Sequence, residues 1–190
     1  MTKNILYFHG FKSSSDSNKA QAFKRLLKND SRDAKIFIPD IEDNFKDAIK
    51  QINKIIEGIK GEIFFAGSSL GGYFAKFYAE KYNTKAVLIN PAIYPLVGFE
   101  EYLGENINYV TKKKFNICKS DIEYLRSLQN KKIKSPKNFM ILVESGDEIL
   151  NYLETVSFFK GSEIDIVFGG DHSYSSFEKK YNKIHSFLKL

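Results

Sequence analysis

Six short apolar runs recur along the chain, at Asn4–Phe8, Ala34–Ile38, Ile63–Ala66, Lys85–Asn90, Asn138–Glu144 and Glu163–Phe168. Each is four to seven residues long and most end at Gly, Pro, Asn or Asp, which is how buried strands read. The polar stretches between them carry helical spacing. Ala22, Phe23, Leu26 and Leu27 fall on one face, as do Phe45, Ile49, Ile52, Ile55, Ile56 and Ile59. Asp16 or Ser17 is the expected cap of the first of these helices, and Asn29–Asp33 its expected break. Further helices are predicted over Gly72–Tyr82, Ser120–Gln129, Ile149–Phe159 and Ser173–Leu188. Strands alternating with helices imply parallel β-α-β units, an α/β fold with helices on both faces of one sheet. Residues 1–190 suffice for a single domain with a substantial core. One connection, 92–137, is too long for a structureless loop. It contains Pro95, Gly98 and Gly104 and is expected to form a small helical cap over the sheet's functional edge.

Composition narrows the picture only a little. The net charge is +6, but the lysines are scattered, and the densest cluster is Lys112-Lys113-Lys114. No nucleic-acid-binding motif accompanies it, so a solvated surface is the expected role and no nucleic-acid partner is expected. No apolar stretch is long enough to span a bilayer, and the amino-terminal run lacks the features of a signal peptide. The lone Cys118 excludes an internal disulfide and fits a reducing, cytoplasmic setting. It reads as buried filler or a surface thiol. The oligomeric state is not legible.

The third run leads directly into Gly67-Ser68-Ser69-Leu70-Gly71, a match to G-x-S-x-G. This motif describes a sharp strand-to-helix turn that exposes one serine above a sheet edge. Gly67 and Gly71 are required where a Cβ would clash in so tight a turn, and Ser69 should sit in a strained backbone region. Glycine-rich turns also bind phosphates, so context decides. A Ser–His–acid hydrolase needs a base and an acid, in the chain order Ser, acid, His on this type of fold. Both should follow the ends of later strands. Glu144-Ser145-Gly146-Asp147-Glu148 follows the fifth run, and Gly169-Gly170-Asp171-His172-Ser173 the sixth. Of the three histidines, only His172 has the required position. His185 lies within the last helix with no acid near it, and reads as a packing or surface residue. Asp147 is the preferred acid. Asp171 adjoins His172 and must fold back awkwardly, Asp165 is inside a strand, and Glu144 and Glu148 flank the favoured position. For the oxyanion, the expected backbone donors are Leu70, directly after the serine, and Phe11 in His9-Gly10-Phe11. His9 and Gly10 are assigned to shaping that loop.

With these residues assembled, the chain resembles the α/β-hydrolase superfamily, and more narrowly is similar to the small bacterial YqiA-type esterases. The resemblance rests on YFHGFKSSSDSNKA, GSSLGGYFA, LINPA, ESGDEILNY and GGDHSYSSFE. It implies hydrolysis of a small-molecule carboxylic ester or acyl thioester, acyl-CoA included, without a metal or organic cofactor, and with Ser69 as nucleophile, Asp147 as acid and His172 as base. It also implies a compact six-stranded sheet of order 2-1-3-4-5-6 without the superfamily's two leading strands. Asp171 departs from the asparagine that related sequences often carry there, and an added carboxylate beside His172 would raise that histidine's pKa. Two other readings remain open: a catalytically idle member used as a binding module, and a triad acting on an amide or peroxyacid. Apolar residues of the 92–137 segment, such as Ile93, Tyr94, Leu96, Phe99 and Tyr102, are expected either to line an acyl pocket or to form the cap's own core.

Overall fold

A computed structural model describes residues 2–30, 34–129 and 131–190. Strand and helix alternate from the start: β1 (Lys3–Phe8), α1 (Asn18–Asp30), β2 (Ala34–Phe37), α2 (Phe45–Gly58), β3 (Glu62–Ser69), α3 (Leu70–Tyr82) and β4 (Ala86–Pro91). A short hairpin, β5 (Gly104–Ile107) and β6 (Lys114–Ile117), and α4 (Lys119–Ser127) follow. The chain then returns to the sheet with β7 (Phe139–Glu144), α5 (Tyr152–Phe158), β8 (Glu163–Val167) and α6 (Tyr181–Leu188).

The main sheet has six strands in the order β2-β1-β3-β4-β7-β8, and every pairing in it is parallel. This is the expected order, with the last two strands renumbered because β5 and β6 intervene. Those two pair antiparallel in a sheet of their own. The segment 92–137, expected to be helical, is therefore of mixed structure instead. Its described residues combine a hairpin, 3₁₀ turns at Phe99–Tyr102 and Pro136–Asn138, and the helix α4. The hairpin escaped detection because Gly104–Ile107 and Lys114–Ile117 are four residues each, too short to show a period.

Alternating side chains send the four central strands, β1, β3, β4 and β7, into two cores. Leu6, Phe8, Phe65, Leu88 and Ile141 pack beneath α2 and α3. Ile5, Tyr7, Phe64, Val87 and Leu142 pack on the opposite face with Phe23 and Leu27 of α1 and Ile184 and Leu188 of α6. Two apolar faces explain why these strands read as continuous apolar runs.

Helix boundaries shift where polar chemistry, not periodicity, decides them. Asn44 caps α2, its side chain accepting from the Lys46 and Asp47 amides. Ser17 directly precedes α1, but among the described residues its buried hydroxyl has no hydrogen-bond partner, while the Asp16 amide donates to Ser14 Oγ. α1 continues through Asn29 and Asp30, and the rest of the expected break, residues 31–33, lies outside the described residues. The expected last helix starts late, at Tyr181, behind a 3₁₀ turn at Phe177–Lys180. The residues released from it form the loop that carries His172.

Because the sheet is parallel, the carboxyl ends of β1, β3, β4, β7 and β8 lie along one edge. Phe8 pairs with Gly67, Ser68 with Ile89, and Glu144 with Val167. The segments beginning at His9, Ser69, Ala92, Ser145 and Phe168 thus open on a common rim.

Candidate active site

β3 ends at Ser69 and α3 begins at Leu70, with nothing between them. Ser69 has φ 54° and ψ −125°, a conformation that costs roughly 1–3 kcal/mol for a residue with a Cβ. The flanking glycines are fixed by close approach. A Cβ on Gly67 would lie 2.2 Å from Gly71 O, and one on Gly71 would lie 2.1 Å from Phe8 O. The turn is therefore wedged against the end of β1 as well as against itself. Leu70 stands at the first position of α3, where its N–H has no intrahelical acceptor.

The loop after β1 lies against this turn, an added Cβ on Gly10 falling 3.4 Å from Ser69 Cβ. His9 fixes the loop's entry. Its Nε2 accepts from the Ile41 amide at 2.9 Å, which leaves Nδ1 to carry the proton and donate to Gly10 O at 2.9 Å. Burial pushes the His9 pKa down, opposed by the Gly10 bond and by Asp40 and Asp43. A folded-state pKa below the unfolded value means the unfolded chain binds the extra proton first. The contribution of His9 is therefore complete above about pH 6.5, the ordinary imidazole pKa, and declines as pH falls below it. Urea unfolding at pH 7.5 and 5.5 checks this: wild type should lose more stability on acidification than His9→Gln, which keeps an acceptor but cannot titrate.

Asp147 and His172 meet across the ends of β7 and β8. His172 Nδ1 lies 2.8 Å from Asp147 Oδ2 and 3.0 Å from Oδ1. The Asp147 side chain is only 2% exposed and that of His172 19%. Asp147 Oδ1 also accepts from the Ile149 and Leu150 amides, at 2.9 and 2.8 Å, so the carboxylate is oriented before it reaches the ring. Asp171 points elsewhere: its carboxylate accepts from Ser173 N at 2.8 Å and from the Ser173 hydroxyl, bonds that lower its pKa.

Two flanking acids do more than flank. Glu148 Oε2 accepts from the His172 amide at 3.0 Å. Glu144 is fully buried, and its two oxygens accept from Asp171 N at 2.9 Å and Ser176 N at 3.0 Å. Asn90, in the left-handed region at φ 38°, accepts from Glu144 N and donates to the Asp171 and His172 carbonyls, at 3.1 and 3.3 Å. Gly170 is required beside them, since a Cβ there would lie 2.0 Å from Glu144 Oε2. Sequence reasoning missed this frame. Its signals were a polar residue closing an apolar strand (Glu144) and an Asn-Pro pair at the end of another. Glu144→Gln would turn one acceptor into a donor facing a backbone N–H, which costs about 1–3 kcal/mol. A lower Tm in a thermal melt is the expected result.

Ser69 and His172 line one open cavity of about 490 Å³, together with Gly10, Phe11, Lys19 and Tyr174. Among the described residues Ser69 Oγ makes no hydrogen bond, so the serine and the histidine share the cavity without being joined. Lys19 donates to the Ser173 carbonyl from the cavity wall. Burial lowers its pKa, while Asp171, Glu144 and Asp147 oppose that shift. The remaining candidates fall elsewhere. His185 has an acid beside it after all, Asp30 at the end of α1, 3.4 Å away. Cys118 is an exposed thiol that donates to Asp121 at 2.8 Å. Asp165 is tied to Lys180 and Lys183. Ile93, Tyr94, Leu96 and Phe99 line a separate apolar cleft of about 240 Å³ with Ile149 and Leu150, while Leu96 and Phe99 are also part of the core under α2 and α3.

A parallel six-stranded sheet whose third strand breaks into a strained serine turn defines an α/β-hydrolase fold. The chain belongs to the family described as Uncharacterised protein family (UPF0227), whose model matches residues 4–189. Solved structures agree on the fold. Alpha/beta hydrolase domain-containing protein 10 from mouse superposes with a TM-score of 0.75 at 18% identity, over 98% of this chain and 89% of its own. Est1E from Butyrivibrio proteoclasticus gives 0.69 at 17% identity, over 99% and 87%. An esterase domain from a Rhodothermus marinus protein gives 0.71 at 15% identity, over 98% and 86%. No described helix is long and apolar enough to cross a membrane.

Proposed function

We propose that the protein is a serine hydrolase of carboxylic esters or acyl thioesters, acyl-CoA included, working through an acyl-enzyme. One observation carries the reading: Asp147 holds the Nδ1 proton of His172, leaving Nε2 as the base, in a cavity shared with a serine on a strained turn. Ser69 Oγ attacks the acyl carbon while His172 Nε2 takes its proton. The tetrahedral oxyanion is received by the Phe11 and Leu70 amides. Collapse expels the alcohol or thiol, protonated by His172, and leaves Ser69 acylated. Water, deprotonated by the same nitrogen, then attacks, and the acid departs with Ser69 and His172 restored. The loose Ser69–His172 geometry is that of a free enzyme, in which such bonds tighten only around substrate. No step calls for a metal or organic cofactor. The same reading treats residues 1–190 as one cytoplasmic catalytic domain with 92–137 as its cap.

The name of the Rhodothermus marinus esterase domain, a neighbour in fold, favours ester chemistry. A panel of p-nitrophenyl esters and acyl-CoA thioesters of increasing chain length tests the proposal. Turnover by wild type but not by Ser69→Ala is expected, and equal rates in the two would contradict it.

A further inference from the structure

The loop that carries the Phe11 amide is held from two sides. His9 and Ile41 grip one. The β5–β6 hairpin grips the other through consecutive residues. Asn108 Nδ2 donates to Ser13 O at 3.2 Å, and Tyr109 N donates to Lys12 O at 2.9 Å. Lys12 and Ser13 directly follow Phe11, and Ser13 N closes the turn onto Gly10 O at 3.3 Å.

Asn108 is only 3% exposed, and its carboxamide is used to capacity. Its nitrogen also donates to Asp43 Oδ1 at 3.0 Å, and its oxygen accepts from the Val110 and Thr111 amides, each at 3.0 Å. One side chain thus closes the hairpin's own turn and ties it to both the loop after β1 and the segment after β2. The ring of Phe11 is enclosed by Phe99, Tyr102 and Phe115, with centroids 5.3, 5.0 and 5.9 Å away, and by Phe45 of α2 at 6.3 Å. Lys12 is in the left-handed region at φ 57°, and its ammonium sits 4.8 Å from the Tyr102 ring and 5.3 Å from the Tyr109 ring. A strained residue persists only where its surroundings over-determine it. Here the surroundings are the hairpin.

We propose that the β5–β6 hairpin is the rigid backing of the oxyanion loop, and that Asn108 is a positioning residue that keeps the Phe11 amide on target by fixing the Ser13 carbonyl. The inference rests on the hydrolase reading and gives the 92–137 segment a task other than covering substrate. A donor moved by a fraction of an ångström stabilises the transition state less while ground-state binding is almost untouched.

Asn108→Ala is therefore expected to lower kcat about tenfold or more. KM should stay within about twofold, and affinity for an aryl trifluoromethyl ketone, which mimics the tetrahedral adduct, should fall in parallel with kcat. Asn108→Asp keeps the volume but removes both donors and sets a carboxylate against Asp43, so it should fall at least as far. Rates are normalised to serine titrated by a fluorophosphonate, with Tm measured alongside. A drop in Tm with kcat and ketone affinity unchanged would make Asn108 merely structural and overturn the inference. If neither variant folds, Phe115→Leu withdraws the hairpin's ring from Phe11, and the same parallel loss is expected; an unchanged kcat overturns it. A wild type that takes up no fluorophosphonate contradicts the hydrolase reading itself, whereas a labelled wild type with unaffected variants contradicts this inference alone.

Discussion

Ser69→Ala is expected to reduce ester turnover by about 10⁴-fold or more, with Tm unchanged. The size follows from the way a triad works as a unit: without the nucleophile, an oriented base has nothing to activate, and only binding and the oxyanion donors remain. The unchanged stability follows from the structure. Among the described residues Ser69 Oγ has no hydrogen-bond partner, and alanine meets the same strain at φ 54° that serine does. Activity and stability therefore separate at this position. Steady-state kinetics on a p-nitrophenyl ester, with a thermal melt on the same preparations, reads both. A Tm loss accompanying the activity loss would point instead to collapse of the turn.

Gly71→Ala should do the reverse and destabilise the fold. Its Cβ would lie 2.1 Å from Phe8 O and 2.5 Å from His9 O. Both are backbone atoms at the end of a central strand, so no rotamer change relieves the contact. Prising β1 away from the turn costs about 3 kcal/mol or more, which for a chain of this size lowers Tm by on the order of 10 °C. Gly58→Ala is the matched comparison. Gly58 is an exposed residue of α2 with nothing within 4 Å of an added Cβ, and there alanine should add about 0.5–1 kcal/mol. Urea unfolding of the three proteins checks the ordering. Gly71→Ala as stable as wild type would mean the elbow is less tightly wedged than its geometry requires.

Ser69 and Gly71 belong to the part of the molecule most legible in the sequence. Central parallel strands buried on both faces write themselves as continuous apolar runs, and a strand-to-helix turn with no room for side chains demands glycine, so G-x-S-x-G carries its geometry in its spelling. Chain order then singles out Asp147 and His172, and the structure brings their side chains to 2.8 Å. What stays hidden in the sequence is polar and long-range. Glu144 reads as the end of a strand, yet it holds the His172 loop through amides 27 and 32 residues away. Asn108 lies in a segment with no period, and its contacts span 65 and 95 residues. Hydrophobic patterning reports which face of an element is buried. It says nothing about which distant backbone group a buried carboxamide will satisfy. The hairpin is hidden because strands of four residues carry too few alternations to register. The acid beside His185 was missed because Asp30 is distant in sequence and adjacent only once α1 and α6 lie on the same face of the sheet.

On the proposed reading Ser69 is a nucleophile activated by His172. Incubating the folded protein with a fluorophosphonate and mapping the adduct by peptide mass spectrometry tests it most directly. A single phosphonyl group on Ser69, absent from Ser69→Ala and strongly slowed in His172→Ala, is the result expected. A folded wild type that remains unmodified, or one modified at a residue other than Ser69, would contradict the account.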